Sequence, residues 1–357
     1  MGDLRFGYRM VVITVSHIAS TCISDALSLQ VCALSCHVGS PAPRDKARSY
    51  TSEHTKPGNA WGADSMNLTI EQARQLASIF SRPVFRALGA GSLPASVNRQ
   101  LAHTADVLES SGGTVGDLFE AAFKQLLKRY RSEYVYKNLL TKKQIFGIHS
   151  PSTAALLSEF WVDMSKADSV VLNGTSTVYE IKTEFDNLSR LPQQLTDYSK
   201  VFDHINVVTH ERGVAAVLAA APAHVGVLAL SSRGSFKRVR TSTSNISNLD
   251  HWTVFNCLRN QEVGNILLRQ FGAIPETSAD MFRTQCFKQF KRLPKDVLSA
   301  EFVLEARKRT TGRETSQFAS ALPMSLRTLG LIEKLSACRR TTLLDVLSRP
   351  LMPAIYK

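Results

Sequence analysis

The sequence has no paired-cysteine motif and no long apolar run, and each absence removes a class of protein. None of the six cysteines (Cys22, Cys32, Cys36, Cys257, Cys286 and Cys338) forms a CxxC pair, so the ligand spacing of a structural zinc site is missing. Cys32, Cys36 and His37 are close together, but further ligands at a usable spacing are lacking. Sparse, unpaired thiols fit a reducing compartment, and a cytoplasmic location is expected. The most apolar stretch, Met10 to Val38, is interrupted by His17, Asp25 and several Ser and Thr, which makes it a poor membrane span. It also lacks the compact apolar block and small-residue cleavage site of a secretory signal. There is no repeat of fixed period and no low-complexity tract, so solenoids and arrays are excluded.

Acid is also in short supply. Lys and Arg number 43 against 30 Asp and Glu, a formal net charge of +13. From Ser231 to Lys357 there are 21 Lys/Arg and 10 Asp/Glu, a net of +11, so nearly all the excess lies in the last third. That balance favours a polyanionic partner, nucleic acid or an acidic membrane surface, with phosphate contacts in that third. Hydrophobic content of 44% and charged content of 20% are those of a soluble globular chain able to bury a core.

Three regions follow from the patterning. Residues 1–65 include Gly39 to Asp64, rich in Pro, Gly, Ser, Arg and Lys and without apolar periodicity. This part is expected to be disordered, or to be an extension preceding a native start at Met66. Thr69 with Gln72 forms a capping box that opens the first helix. Residues 66–245 read as the core domain, and residues 246–357 as a basic, mainly helical appendage.

Within the core, Ala102 to Ser110 reads as a short helix. A longer helix runs from Val115 through Tyr130 towards Leu140. Its apolar face carries Phe119, Phe123, Leu126 and Tyr130 at helical spacing, and the next residue on that face is Glu133. An unbroken helix would aim this carboxylate inward, where it needs a metal or a cationic partner such as Arg131 or Lys137. After the break at Ser150-Pro-Ser, a helical stretch is expected through Leu157, with extended structure from Phe160. Two β-rich segments flank Asn173-Gly174, a strong hairpin signal. Leu188 to Phe202 reads as a helix with Pro192 in its first turn and Leu191, Leu195, Tyr198 and Phe202 as its buried stripe. His204 begins another strand, and residues 225–240 a second hairpin.

The chemistry concentrates between Lys166 and Lys182. Asp168 begins one strand of the first hairpin, and Glu180 and Lys182 lie two apart on the other, hence on one face. Asp168 joins that face if the loop holds three or five residues. Two converging carboxylates make a hard oxygen site suited to magnesium or manganese, and the lysine can orient a water or neutralise charge on phosphorus.

Arg131-Ser-Glu-Tyr-Val-Tyr-Lys-Asn, Ser165-Lys-Ala-Asp-Ser-Val-Val-Leu-Asn-Gly, Val178-Tyr-Glu-Ile-Lys-Thr-Glu-Phe-Asp-Asn-Leu-Ser-Arg-Leu and Gln193-Gln-Leu-Thr-Asp-Tyr together resemble the PD-(D/E)XK nuclease superfamily. Within it they look like an uncharacterised bacterial family of the restriction-like and Holliday-resolvase-like kind. The resemblance covers residues 115–209. It implies an α/β fold with a restriction-endonuclease-like core, a mixed central sheet flanked by helices. Glu133 would be its helix acid, Asp168 its strand acid, Glu180 and Lys182 its E-x-K pair, and Gln194 the polar residue of the next helix, with Tyr198 one turn on. Two departures stand out: Ala167 replaces the proline before Asp168, and Glu184 adds an acid of the same strand parity as Glu180. Arg190 is a candidate phosphate contact.

The function so implied is metal-dependent hydrolysis of phosphodiesters, as a DNA endonuclease in genome defence or repair. Asp168, Glu180 and Glu133 would hold magnesium or manganese. The competing expectation is a catalytically silent module that binds nucleic acid or protein on the same fold. The expected partner is nucleic acid, DNA first, with no membrane association. A homodimer or a partner protein stays open.

Overall fold

The computed structural model describes residues 68–97, 99–101 and 113–351. The expectations for residues 1–65, for the Cys32, Cys36 and His37 group and for a helix over 102–110 fall outside the described residues.

Helix α1 (Ile70–Ala77) opens on the reciprocal Thr69–Gln72 capping box, and α2 (Arg82–Gly89) follows. Where one long helix was expected, there are two. Helix α3 (Val115–Arg129) stops at Tyr130, whose backbone is extended at φ −150 and ψ 94. Helix α4 (Glu133–Lys143) restarts behind Ser132. Ser132 takes the extended N-cap conformation without a side-chain cap hydrogen bond, and the acid Glu133 in the first turn favours a helix start; the restart outweighs the continuing apolar period.

The strands form one mixed sheet in sequential order, β1 (Ala155–Val162), β2 (Ser165–Asn173), β3 (Thr175–Lys182), β4 (His204–His210), β5 (Gly226–Leu230) and β6 (Phe236–Arg240). The first three strands pair antiparallel, β3 with β4 and β4 with β5 parallel, and β5 with β6 antiparallel. Helix α5 (Leu191–Ser199) crosses over between β3 and β4, and α6 (Val214–Ala220) between β4 and β5. Strand β1 starts at Ala155 inside the stretch expected to be helical. Ala and Leu are good helix formers, but helix propensity is a small term, and pairing with β2 from Ala155 to Val162 overrides it.

After the sheet come α7 (His251–Cys257), α8 (Asn260–Phe271), α9 (Phe282–Phe290), α10 (Lys295–Arg307), α11 (Arg313–Ala321), α12 (Arg327–Ile332) and α13 (Ala337–Ser348). These helices, expected as a basic appendage, share the core of the sheet. Phe290, Leu298 and Phe302 are buried with Val170, Val178, Tyr198 and Phe202 on one face of the sheet. The rings of Phe160, Phe202 and Phe302 meet edge to face at 5.9–6.3 Å. On the opposite face Ala319 and Leu331 join Tyr136, Leu140, Tyr179 and Ile181. Leu343, Val346 and Leu347 complete a further core with α1 to α3. Each fully buried Leu or Phe contributes about 1.5–3 kcal/mol, so the C-terminal third is integral to the sheet's stability. Its basic residues are left for the surface and for ion pairs. No helix among the described residues is long and apolar enough to cross a membrane.

Candidate functional site

The β2–β3 turn fixes which carboxylates meet. Asn173 pairs with Thr175 across Gly174, which sits at φ +74, a left-handed conformation that favours glycine. This odd-numbered turn pairs Ser169 with Tyr179, and one step further sets Asp168 opposite Glu180. The regular ladder ends there. The Ile181 N–H donates instead to Asp168 Oδ2 at 2.8 Å. On the other side, the β1–β2 pairing skips Glu159 and resumes with Phe160 and Ala167. Glu159 lies at φ +56, a conformation that costs a non-glycine residue about 1–2 kcal/mol. Both neighbouring ladders are thus interrupted around Asp168.

Helix α5 covers the same face. Gln194 and Tyr198, four residues apart, project together. The Tyr198 hydroxyl donates to Glu180 Oε2 at 2.8 Å. Lys182 Nζ donates to Glu180 Oε1 at 2.9 Å and to Gln194 Oε1 at 2.8 Å. Glu180, only 2% exposed, therefore has a donor on each oxygen. Burial and the adjacent Glu180 charge hold the Tyr198 pKa far above its usual value, so the hydroxyl remains a donor. Tyr198 was expected to serve mainly packing; it packs and also donates to Glu180.

Asp168 is less well compensated. Burial raises its pKa, and the Glu180 and Glu133 charges raise it further. Lys137 and the Ile181 N–H pull the other way without cancelling the shift. The nearest ammonium, Lys137 Nζ, is 4.0 Å from Oδ1.

Glu133 does not converge with this pair as a buried acid. As the first residue of α4, its side chain is 53% exposed and forms an ion pair with Lys137, one helical turn on. It makes no direct contact with Asp168: Lys137 stands between them, and Glu133 acts on Asp168 through its charge from the lining of the same cavity. Glu184 is no strand residue either. Strand β3 ends at Lys182 because Asp186 accepts hydrogen bonds from the Thr183 N–H and hydroxyl, both at 2.7 Å, and turns the chain. Glu184 stands exposed in that turn. Among the described residues no group of three or more His, Cys, Asp or Glu is placed to hold a metal ion. Asp168 and Glu180 remain as two oxygen donors. That is a partial set for magnesium, which commonly takes one or two carboxylates and completes its shell with water and phosphate.

Asp168, Glu180, Lys182 and Gln194 open into a cavity of about 350 Å³ that Arg190 also lines. Its rim includes three residues that reading the sequence missed, Trp161, Met164 and Lys166. Their signal lay in the tight β1–β2 turn at Asp163 and Met164, which pairs Val162 with Ser165 and sets Trp161 opposite Lys166.

Comparison with known proteins changes the family. The model of the family described as bacteriophage P4 protein cII matches residues 127–318, more than half of the chain. Protein cII of Enterobacteria phage P4 is 25% identical over 191 residues, which cover 51% of this chain and 71% of that protein. No solved structure matches. These matches overturn the expected membership of the PD-(D/E)XK superfamily. The matched span includes Glu133, Asp168, Glu180, Lys182 and Gln194, so the residues that suggested a nuclease fall within a different family. The expected hydrolase class, endonuclease activity and role in genome defence or repair fall with it. An acid-x-lysine strand specifies a geometry shared by many proteins, and geometry alone is a weak guide to chemistry. The chain belongs to the bacteriophage P4 protein cII family.

Proposed function

We propose that this protein binds nucleic acid, DNA in the first instance, at the cavity around Asp168, as a binding module without strand cleavage. The observation that carries the reading is the pairing of Asp168 and Glu180 in an open cavity lined by Lys166, Lys182 and Arg190, on a chain of net charge +13. Lysine and arginine around the opening supply phosphate contacts, the main source of affinity for a polyanion. A magnesium or manganese ion held by Asp168 and Glu180 would offset the carboxylate charge facing an incoming phosphate. For the fold alone we also propose a restriction-endonuclease-like arrangement, supported by an antiparallel β1–β2–β3 unit followed by parallel strands. A shared fold does not carry its chemistry.

The test is fluorescence anisotropy with a labelled DNA over a salt series, with and without magnesium. Log affinity should fall linearly with log salt. Lys166→Ala and Arg190→Ala should each lower the slope by about one. Magnesium should strengthen binding by the wild type and leave Asp168→Asn unaffected, and a denaturing gel should recover the strand intact. Salt-independent binding, or none, would overturn the nucleic-acid reading, and an equal magnesium response in Asp168→Asn would overturn the cation site.

A further inference from the structure

We infer that Trp161 is a stacking platform for unpaired bases, so that the nucleic acid bound is single-stranded and follows a cleft around the β1 edge. The inference rests on the nucleic-acid reading above and narrows it. Trp161 is 63% exposed and Met164, three residues on, is 87% exposed. Such side chains gain nothing from water, and a pair of them at a cavity rim marks a contact surface.

The turn that carries them is pinned from both sides. Asp163 lies at φ +49, and Lys200 Nζ donates to its carboxylate at 2.6 Å. The Ser165 hydroxyl donates to the buried Asp197 at 2.6 Å. The ring is therefore presented on a fixed backbone, which lowers the cost of ordering the turn when a ligand arrives. The second exposed tryptophan makes a contrast. Trp252 stacks on Phe255 and meets Phe287 edge-on at 4.8 Å, whereas Trp161 stacks on no ring among the described residues and has the Lys166 ammonium over it, 5.7 Å from the ring centre and 3.6 Å from Glu159. A ring with a cation over one side and the other open to solvent offers a stacking surface and a phosphate contact together, as successive bases and phosphates of a strand require.

The surroundings extend this pattern. Strand β1 is the sheet edge, and two more cavities of about 400 and 360 Å³ border it. Trp161 lines the first of these as well as the carboxylate cavity. Arg82, Ser158 and Glu159 are shared between the two further cavities, and Glu133 lines both the last and the carboxylate cavity. The cavities thus adjoin around one strand. Arg259 and Lys334 add cationic lining beyond Trp161. A chain of small adjoining pockets with an aromatic at the junction suits a flexible single strand whose bases are free to stack. A duplex keeps its bases inside and offers Trp161 no face.

Two measurements decide the matter. Anisotropy titrations compare a labelled single strand with its duplex, for wild type, Trp161→Ala and Trp161→Phe. The protein carrying Trp61→Phe and Trp252→Phe reports the fluorescence of Trp161 alone. The wild type should prefer the single strand, and Trp161→Ala should lose about tenfold in single-strand affinity. Trp161→Phe should keep most of it, duplex binding should stay unchanged, and the single strand should quench Trp161 fluorescence. Salt-dependent binding that prefers duplex, or single-strand affinity unchanged in Trp161→Ala, overturns the platform and leaves the nucleic-acid reading standing. Absence of salt-dependent binding to either probe overturns both.

Discussion

Glu262 and Asp168 are both carboxylates turned away from bulk water, yet their surroundings move their proton affinities in opposite directions. Burial alone would raise the pKa of Glu262, but the Arg309 guanidinium and the Arg259 N–H more than offset it, and the value is lowered. Arg309 grips Glu262 with two nitrogens, at 2.7 and 2.5 Å, the fork geometry that gives such pairs their strength. Glu305 is likewise lowered, beside Lys308, Asn265 and Arg269. Asp168 faces Glu180, and its pKa rises. The C-terminal acids are joints between helices, closed by partners from the chain itself. The pair in the cavity leaves negative charge that the fold does not cancel, and strongly perturbed groups in a cleft are where binding sites concentrate.

Breaking a C-terminal joint should have the largest effect. Arg309→Ala leaves Glu262 buried without its guanidinium and should cost about 3–5 kcal/mol of stability at neutral pH, measured by urea unfolding. The charge is the cause, so adding Glu262→Gln to Arg309→Ala should restore a large part of the loss. A cost below about 1 kcal/mol, or no restoration, would mean that the pair is as solvated as a surface ion pair and would erase the contrast with Asp168.

How far the two regions could be read from sequence differs for the same physical reason. Alternation and a turn signal are local, so the strand carrying Glu180 and Lys182, the Asn173-Gly174 hairpin and the buried stripe of α5 were legible. The helix break at Tyr130 was a contest between an apolar period and a start signal at Ser132 and Glu133, and period alone picked the wrong side. That error turned Glu133 inward on paper. The guanidinium partners of Glu262 and Glu305, Arg309 and Arg269, lie 47 and 36 residues away, and no local pattern pairs them. The basic third therefore read as an appendage, although its arginines are partly committed to these acids and its phenylalanines lie beneath the sheet. The Trp161 rim depended on a register fixed by the two-residue turn at Asp163 and Met164, which has none of the glycine or asparagine that marks such turns in sequence. Family membership came from comparison across 127–318 and not from any short motif.

Neutralising Asp168 should have a smaller effect of opposite sign. In the native protein Asp168 holds its proton to higher pH than in the unfolded chain. Between those two values the native state binds more protons, so this group's contribution to stability declines as pH rises. Asp168→Asn removes the decline while keeping an oxygen for the Ile181 N–H. It should stabilise the protein at pH 7, where the raised pKa counts against the charged native carboxylate. For Glu262 the sign reverses: its lowered pKa makes its contribution present near neutrality and lost on acidification. Urea unfolding across pH 4–8 should show the wild type and Asp168→Asn diverging as pH rises, whereas Glu262→Gln should flatten the acid limb. Asp168→Asn proving less stable than wild type at pH 7 would show that Lys137 and the backbone already satisfy the carboxylate.

The smallest effect belongs to Glu133, and it tests where the cavity ends. Its carboxylate is half-exposed and paired with Lys137 at one-turn spacing, an arrangement worth about 0.3–0.5 kcal/mol. Removing it also frees Lys137, 4.0 Å from Asp168 Oδ1, to turn wholly towards that carboxylate and lower its proton affinity. The two consequences oppose each other, so Glu133→Ala should change stability by less than about 0.5 kcal/mol. Lys137→Ala should cost more, because it strips the nearest ammonium from Asp168 while leaving both acids in place. If Glu133→Ala instead stabilises the protein, as Asp168→Asn should, Glu133 acts with Asp168 and Glu180 as a third like charge. The cavity would then hold a denser negative cluster than its geometry displays.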